Sequence, residues 1–427
     1  MPQNTQQLAA TAANTNQLLQ QYRQYQDQAL NLDMTRGKPC SEQLDLANPM
    51  LNILDSTDYM DASGIDCRNY GGLSGISEAK TLFSAYMEVT EQELFIGANT
   101  SLGLMHDIIA RSMSHGCTDS AKPWNQLEKI SFLCPAPGYD RHFSICEHFN
   151  IKMIPIDLLK NGDPDLDEIE RLVSADSSIK GMWFVPKYGN PSGLSVSDAA
   201  VDRLAAMECA APDFKIIWDN AYNVHHLTAQ HSEIKNLLRS CEAAGNANRV
   251  FMIGSTSKIS FAGAGIAVIG SSCQNIQWLE SHTAVQTIGS DKINQLRHVR
   301  FFKDLSGIHA HMEKHAAILV PKFAAVQNVL STNLAGLGIA QWSTPTGGYF
   351  VSLNVMDNCA AKIIAMAKDA GVILTEAGAT FPYKNDPRDR NIRIAPTLPN
   401  LMQINLAMEV LCICIQLVTI EAQSTDK

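Results

Sequence analysis

The chain has 427 residues, 45% of them hydrophobic and 18% charged; at about 150 residues per domain it is expected to bury a large core in two or three domains, which excludes a mini-protein or a disordered chain. Its 33 Lys and Arg against 43 Asp and Glu give a formal charge of −10, and no segment concentrates the positive charge, so nucleic acid is not an expected partner. Eleven cysteines lie scattered, with only Cys412 and Cys414 close together; they match no zinc ligand set, so neither a metal site nor a structural disulfide is expected and the thiols read as small, reduced hydrophobes.

The opening, Met1 to Gln28, is polar and Gln-rich with no apolar h-region, which predicts no secretory signal and a cytoplasmic protein. A helix is predicted around Thr5 to Leu30, followed by an extended linker, Leu32 to Lys38. Through the middle of the chain, short apolar runs alternate with longer amphipathic stretches, the pattern of a mostly parallel sheet with helical crossovers. The predicted strands are Lys129 to Leu133, Lys152 to Ile156, Gly181 to Val185, Lys215 to Trp218 and Val250 to Ile253. From about Pro321 the pattern changes to a helical stretch, then strand-like segments at Thr344 to Leu353, Gly371 to Leu374 and Asn391 to Ala395, and a closing helix from about Leu398 to Gln423. The fold class is therefore α/β, with a large domain over 48–320 and a smaller α+β domain built from 1–47 and 321–427. Apolar runs such as Leu411 to Ile415 fall short of the roughly 20 residues that cross a bilayer, so no membrane contact is expected.

In open α/β sheets, ligands sit beyond the carboxyl ends of the strands, and four turns there carry candidate chemistry. Gly97-Ala-Asn-Thr-Ser-Leu-Gly opens a helical pattern, and a helix N-terminus with free N–H groups suits an anion, although an ordinary N-cap has the same residues. Tyr188-Gly-Asn-Pro-Ser-Gly is either a plain Asn-Pro turn or a way of presenting Asn190 to the crevice. In Ile216-Ile-Trp-Asp-Asn-Ala-Tyr the strand delivers Asp219, which either caps the next helix or pairs with a protonated ring nitrogen and turns a heterocycle into an electron sink. In Gly254-Ser-Thr-Ser-Lys-Ile-Ser, small and apolar neighbours desolvate Lys258 and push its amine toward nucleophilicity, unless it is an ordinary surface lysine.

Taken in order, Asn-Pro-Ser-Gly, Asp-x-x-Tyr and Ser-x-Ser-Lys resemble the aspartate aminotransferase family of pyridoxal-phosphate enzymes. The likeness runs from Arg36-Gly37 to Arg393 and is greatest to the divergent bacterial members with Thr-Arg-Gly-Lys-Pro, Arg-Asn-Tyr-Gly-Gly and Thr-Ser-Lys-Ile-Ser-Phe-Ala-Gly-Ala-Gly, here at Thr35 to Pro39, Arg68 to Gly72 and Thr256 to Gly265. The resemblance implies an aminotransferase that carries the amino group of L-aspartate to 2-oxoglutarate, with decarboxylation or elimination on the same cofactor as the rival chemistry. It implies that Lys258 forms the Schiff base and shuttles a proton, that Asp219 pairs with the pyridinium nitrogen, that Asn190 and Tyr222 hydrogen-bond the phenolic oxygen, and that Tyr139 stacks on the ring. Asn99, Thr100, Ser101 and Ser255 match the phosphate site, and Tyr70 matches the tyrosine that reaches the neighbouring subunit's phosphate, which implies a homodimer with shared sites. Arg393, helped by Gly37 and Asn190, matches the α-carboxylate site.

One position departs from that pattern. Many relatives carry an arginine seven or eight residues after the lysine to pair with the phosphate, where this chain has Gly265 and Ile266. Either hydroxyls and N–H groups do that work alone or another cation enters, with Lys292 and Arg300 as candidates. For a distal carboxylate, Lys292, Arg36, Lys38, Arg68 and Arg141 are all open.

Overall fold

A computed structural model describes residues 2–231 and 233–425, and side chains from residue 15 to 424 apart from 232. The large sheet has seven strands: β2 (Leu94–Ile96), β3 (Ser131–Ala136), β4 (Lys152–Asp157), β5 (Ile179–Phe184), β6 (Lys215–Asp219), β7 (Val250–Ser255) and β8 (Ala267–Ser271), following a two-residue β1 (Leu32–Asp33) that belongs elsewhere. Their order is β2-β8-β7-β6-β5-β3-β4, and all pairings are parallel except those of β8 with β2 and β7.

The strands form because their residues fill cores on both faces at a period of two. Leu133, Met182, Ile216, Trp218, Val250 and Met252 enter one core, while Phe132, Cys134, Trp183, Ile217, Phe251 and Ile253 enter the other. A sheet buried on both faces needs the continuous apolar runs visible in the sequence rather than an alternation. β3 starts two residues later than expected and continues through Pro135. Pro lacks a ladder N–H, and β3 tolerates it because pairing with β5 ends at Leu133 while pairing with β4 runs on to Ala136.

The smaller unit contains an antiparallel sheet of β9 (Ala340–Trp342), β10 (Val351–Val355) and β12 (Asn391–Ile394), with β10 central, and β11 (Val372–Ile373) pairs in parallel with β1. Its core joins Leu18, Tyr22 and Met34 from the start of the chain to residues of the last hundred, such as Val351, Ile392 and Leu411. The expected boundary at 320/321 falls inside one continuous helix, Leu305–Leu334, whose Ile308 and Met312 pack with the large core and whose Phe323, Val326 and Leu330 pack with the small one.

Among the described residues, one helix is long and apolar enough to cross a membrane by length and composition, Leu401–Ser424, where the sequence reading saw only short apolar runs; its most apolar window is 61% buried inside the protein. Apolar residues on all sides of this helix are used, because Leu305–Leu334, Pro2–Asp27 and Ala360–Asp369 all pack on it. All eleven cysteines are free thiols.

Truncating this closing helix tests how much it contributes. Leu411→Ala, at a site with 0% exposure, is expected to cost about 2–5 kcal/mol in urea or thermal melts, whereas Met402→Ala, at 75% exposure, is expected to stay within about 0.5 kcal/mol.

Candidate active site

Four parallel strands converge on one cavity of about 770 Å³, closed from the other side by the small sheet. β6 ends on Asp219, β7 leads into the turn of Lys258, β3 leads to Tyr139 at the start of the Asp140–His148 helix, and β5 leads to Asn190. Tyr222, one step beyond Asp219, and Gly37, Ser101 and Arg393 also line the cavity. Eight of the sequence-predicted residues therefore meet in one place.

Asp219 is 2% exposed. One carboxylate oxygen lies 3.1 Å from Nε2 of His142, and the other, Oδ1, is buried without a hydrogen-bond partner. It caps no helix. His142 is fixed by stacking on Trp183, ring centroids 4.7 Å apart, and Tyr139 meets it edge-on at 5.0 Å. Sequence reading missed His142, although its place one helical turn after Tyr139 was a usable signal.

Lys258 is partly buried, with its ammonium nitrogen 4.9 Å from the Tyr222 ring centroid. Desolvation lowers the pKa of the amine, against the opposing pull of the Asp219 carboxylate. Burial likewise pushes the Tyr222 and Tyr139 phenols up, so both remain proton donors. The Lys258 carbonyl accepts from His225 Nε2 at 3.2 Å and Tyr349 OH at 3.4 Å, and the next carbonyl, of Ile259, lies 2.9 Å from His311 Nε2. His311 contacts His315 at 3.1 Å, and Gln43 bridges His315 to Tyr349. Across the turn, His298 Nδ1 donates to the Asn294 carbonyl at 2.8 Å, so its Nε2 accepts from the hydroxyls of Thr256 and Ser260 at 3.1 and 2.8 Å. The amine makes no hydrogen bond or ion pair among the described residues, while its backbone is held at several points. None of these histidines was singled out from the sequence; His311 and His315, four apart in a helical stretch, were the legible pair.

Arg393 is 8% exposed and receives its position from β12. Nη1 donates to Asn190 at 3.2 Å and Asp140 at 3.3 Å, and Nη2 to the Thr375 hydroxyl at 3.2 Å and the Thr35 carbonyl at 3.4 Å. Gly37 sits so close to the Phe350 ring that a Cβ would lie 2.6 Å from it, and Phe350 in turn lies under the Arg393 guanidinium.

The remaining candidates lie outside the cavity wall. Ser255 is buried at the end of β7. Thr100 occupies the cap position of the Ser101–His115 helix without a side-chain capping bond, which leaves first-turn N–H groups unclaimed by it. Asn99 lines a second cavity of about 570 Å³ together with Gly263 to Ile266 and Arg297, and Ser257 Oγ lies 3.5 Å from the Asn99 carbonyl. Tyr70 is 81% exposed on a loop whose Asn69 and Gly71 carbonyls accept from Lys292 at 2.6 and 2.7 Å.

The structure also sorts the cations. Lys292 is committed to that loop, Arg300 to Asp58 and Glu78, and Arg68 to Asp66 and the Tyr59 ring. Arg36, Lys38 and Arg141 line the main cavity and make no ion pair among the described residues. Arg297, which faces the second cavity, was not considered from the sequence.

The family model for aspartate amino-transferase matches residues 6–427. An aspartate aminotransferase of Corynebacterium glutamicum is 44% identical over 392 residues, covering 92% of this chain and 90% of its own. A crystal structure of an aspartate transaminase from that species superposes with a TM-score of 0.94 at 42% identity, covering 97% of both chains. The α-aminoadipate aminotransferase of Thermus thermophilus, solved with N-(5'-phosphopyridoxyl)-L-leucine, shares the fold at 17% identity, with a TM-score of 0.74 over 92% of this chain and 93% of its own.

The buried histidines make stability acid-sensitive. Desolvation pushes His298 down to about 4 and His315 down to about 3 from an ordinary 6.5, so the folded chain keeps both neutral while the unfolded chain takes up protons near pH 6.5. Their contribution is complete above pH 6.5 and is lost as pH falls toward 4, at up to about 1.4 kcal/mol per pH unit for each histidine. Urea denaturation from pH 7 to 4.5 is expected to show this limb, and His298→Gln to flatten it.

Proposed function

The chain belongs to the aspartate amino-transferase family and is an aminotransferase, and on that premise we propose that it moves the amino group of L-aspartate to 2-oxoglutarate with pyridoxal 5'-phosphate held in the 770 Å³ cavity. The observation that carries this reading is the pairing of a desolvated Lys258 amine that makes no hydrogen bond among the described residues with a buried Asp219 oxygen that has no hydrogen-bond partner, both on one cavity wall. An acceptor orphaned at 2% exposure is costly unless a ligand donor completes it, and a protonated ring nitrogen is such a donor.

When bound, the cofactor supplies an aldehyde that condenses with amines and a ring that spreads the electron pair left when Cα loses its proton. The chain's residues supply the rest. Asp219, oriented by His142, holds the proton on the ring nitrogen. Tyr222 and the Asn190 amide donate to the phenolic oxygen, and Tyr139 packs against the ring face. Ser101, with Asn99 and Thr100 at the helix N-terminus, and Ser255 receive the phosphate. Lys258, with its lowered pKa, is neutral more often than an exposed lysine and would take the proton from Cα and return it to the carbon that was the cofactor's aldehyde.

Arg393 binds the α-carboxylate bidentately. A distal carboxylate, present in both aspartate and 2-oxoglutarate, has Arg36, Lys38 and Arg141 within the same cavity wall. Tyr70, exposed on a loop pinned by Lys292, is poised to reach the phosphate of a second copy, so the working unit of this proposal is a homodimer.

The test is the purified protein with L-aspartate, with and without 2-oxoglutarate. Oxaloacetate formed only with the acceptor supports transfer; alanine or ammonia formed without it points to decarboxylation or elimination and overturns the proposal. Lys258→Ala is expected to lower turnover by about 10³-fold or more and to remove the yellow colour that borohydride bleaches in the parent protein.

A further inference from the structure

We propose that Asp140 is the resident counter-ion of Arg393, exchanged for the substrate carboxylate on binding, and that it thereby sets how tightly amino and oxo acids are held. The inference rests on the reading of Arg393 as the α-carboxylate site.

Arg393 cannot lose its proton and is 8% exposed over the Phe350 ring, so an empty site needs an anion beside it. Asp140 is that anion, with Oδ1 at 3.3 Å from Nη1, and it is the charged partner among four acceptors; Asn190, the Thr375 hydroxyl and the Thr35 carbonyl are neutral. The fifth N–H, on Nε, is buried and unpaired.

A bidentate carboxylate takes two parallel N–H groups, either the end pair Nη1/Nη2 or the side pair Nε/Nη2. End-on docking puts the substrate where Asp140 now sits. Side-on docking uses the free Nε but leaves two anions on one guanidinium. In both cases Asp140 opposes the incoming carboxylate.

The exchange is feasible because the two partners differ in exposure. The Asp140 side chain is 36% exposed against 8% for Arg393, so the carboxylate can turn toward water while the guanidinium stays. Asp140 is also the first residue of the Asp140–His148 helix, where the N-terminal end of the helix dipole keeps favouring a negative charge after release.

The experiment uses succinate, a dicarboxylate without a transferable group, titrated into the cofactor-loaded protein by calorimetry. Asp140→Asn is expected to tighten its Kd by about three- to fivefold. Asp140→Ser, which equally suits a first helical turn, is expected to do the same. Arg393→Lys is expected to weaken binding, and the gain from Asp140→Asn is expected to vanish in that background, a coupling that a merely structural role of Asp140 does not produce. Unchanged or weaker binding in both Asp140 variants, with Arg393→Lys still impaired, overturns the counter-ion role and leaves the wider reading standing. Unchanged binding in Arg393→Lys overturns both.

Discussion

A carboxylate held out of water at the end of a β-strand constrains everything around Asp219. The large sheet is apolar on both faces, so its carboxyl edge is where polar groups can be gathered without entering a core. There Asp219 is desolvated yet given half a partner, His142, which is itself locked between Tyr139 and Trp183. Trp183 is tied down in turn through its indole N–H to the Cys146 sulfur at 3.1 Å. One carboxylate oxygen is therefore rigid and satisfied, and the other faces a fixed direction with nothing to accept from. A surface aspartate would move to meet water; this one is pre-organised for a donor that enters the cavity.

The Lys258 turn follows the same logic with the opposite sign. A flexible four-carbon side chain has to reach while its backbone does not move, so the turn's carbonyls and hydroxyls are anchored by His225, His311, His298 and Tyr349. Neutral histidines suit this work because they offer one donor and one acceptor without adding charge beside the amine. The cost falls where a ring accepts, since protonation takes the Nε2 lone pair of His298 away from the Thr256 and Ser260 hydroxyls. Small residues complete the arrangement, since a Cβ at Gly265 would lie 3.1 Å from the Ser257 nitrogen.

Much of this was legible in the sequence because it is local. The five core strands, Lys258, Asp219 and Asn190 announce themselves through apolar runs ending in polar turns, although β3 starts two residues later than expected and runs on through Pro135. What stayed hidden depends on partners far apart in the chain. β2 and β8 are short and gain their identity from pairing with each other and with β7. His142 acquires a role through Asp219, 77 residues away, and Gln43 through His315, 272 residues away. Lys292 and Arg300 looked available because a sequence shows a cation without its partner; folding commits them to loop carbonyls and to carboxylates.

The way the cations are shared out bears on which ligand the cavity attracts. The wall carries six basic side chains, Arg36, Lys38, Arg141, Lys258, Lys384 and Arg393, against four acidic ones, Asp140, Glu147, Asp219 and Glu376. Two of the acids are already spent on two of the bases, Glu376 on Lys384 and Asp140 on Arg393. Asp219 faces the amine of Lys258, which burial draws toward neutrality. Arg36, Lys38 and Arg141 then remain against Glu147, a local positive excess in a chain whose formal charge is −10. A concave wall focuses such an excess, so a doubly negative acid is drawn into a protein that repels it elsewhere. Charge of this kind favours entry of any dianion; discrimination among them falls to the buried fork of Arg393, where geometry rather than net charge decides.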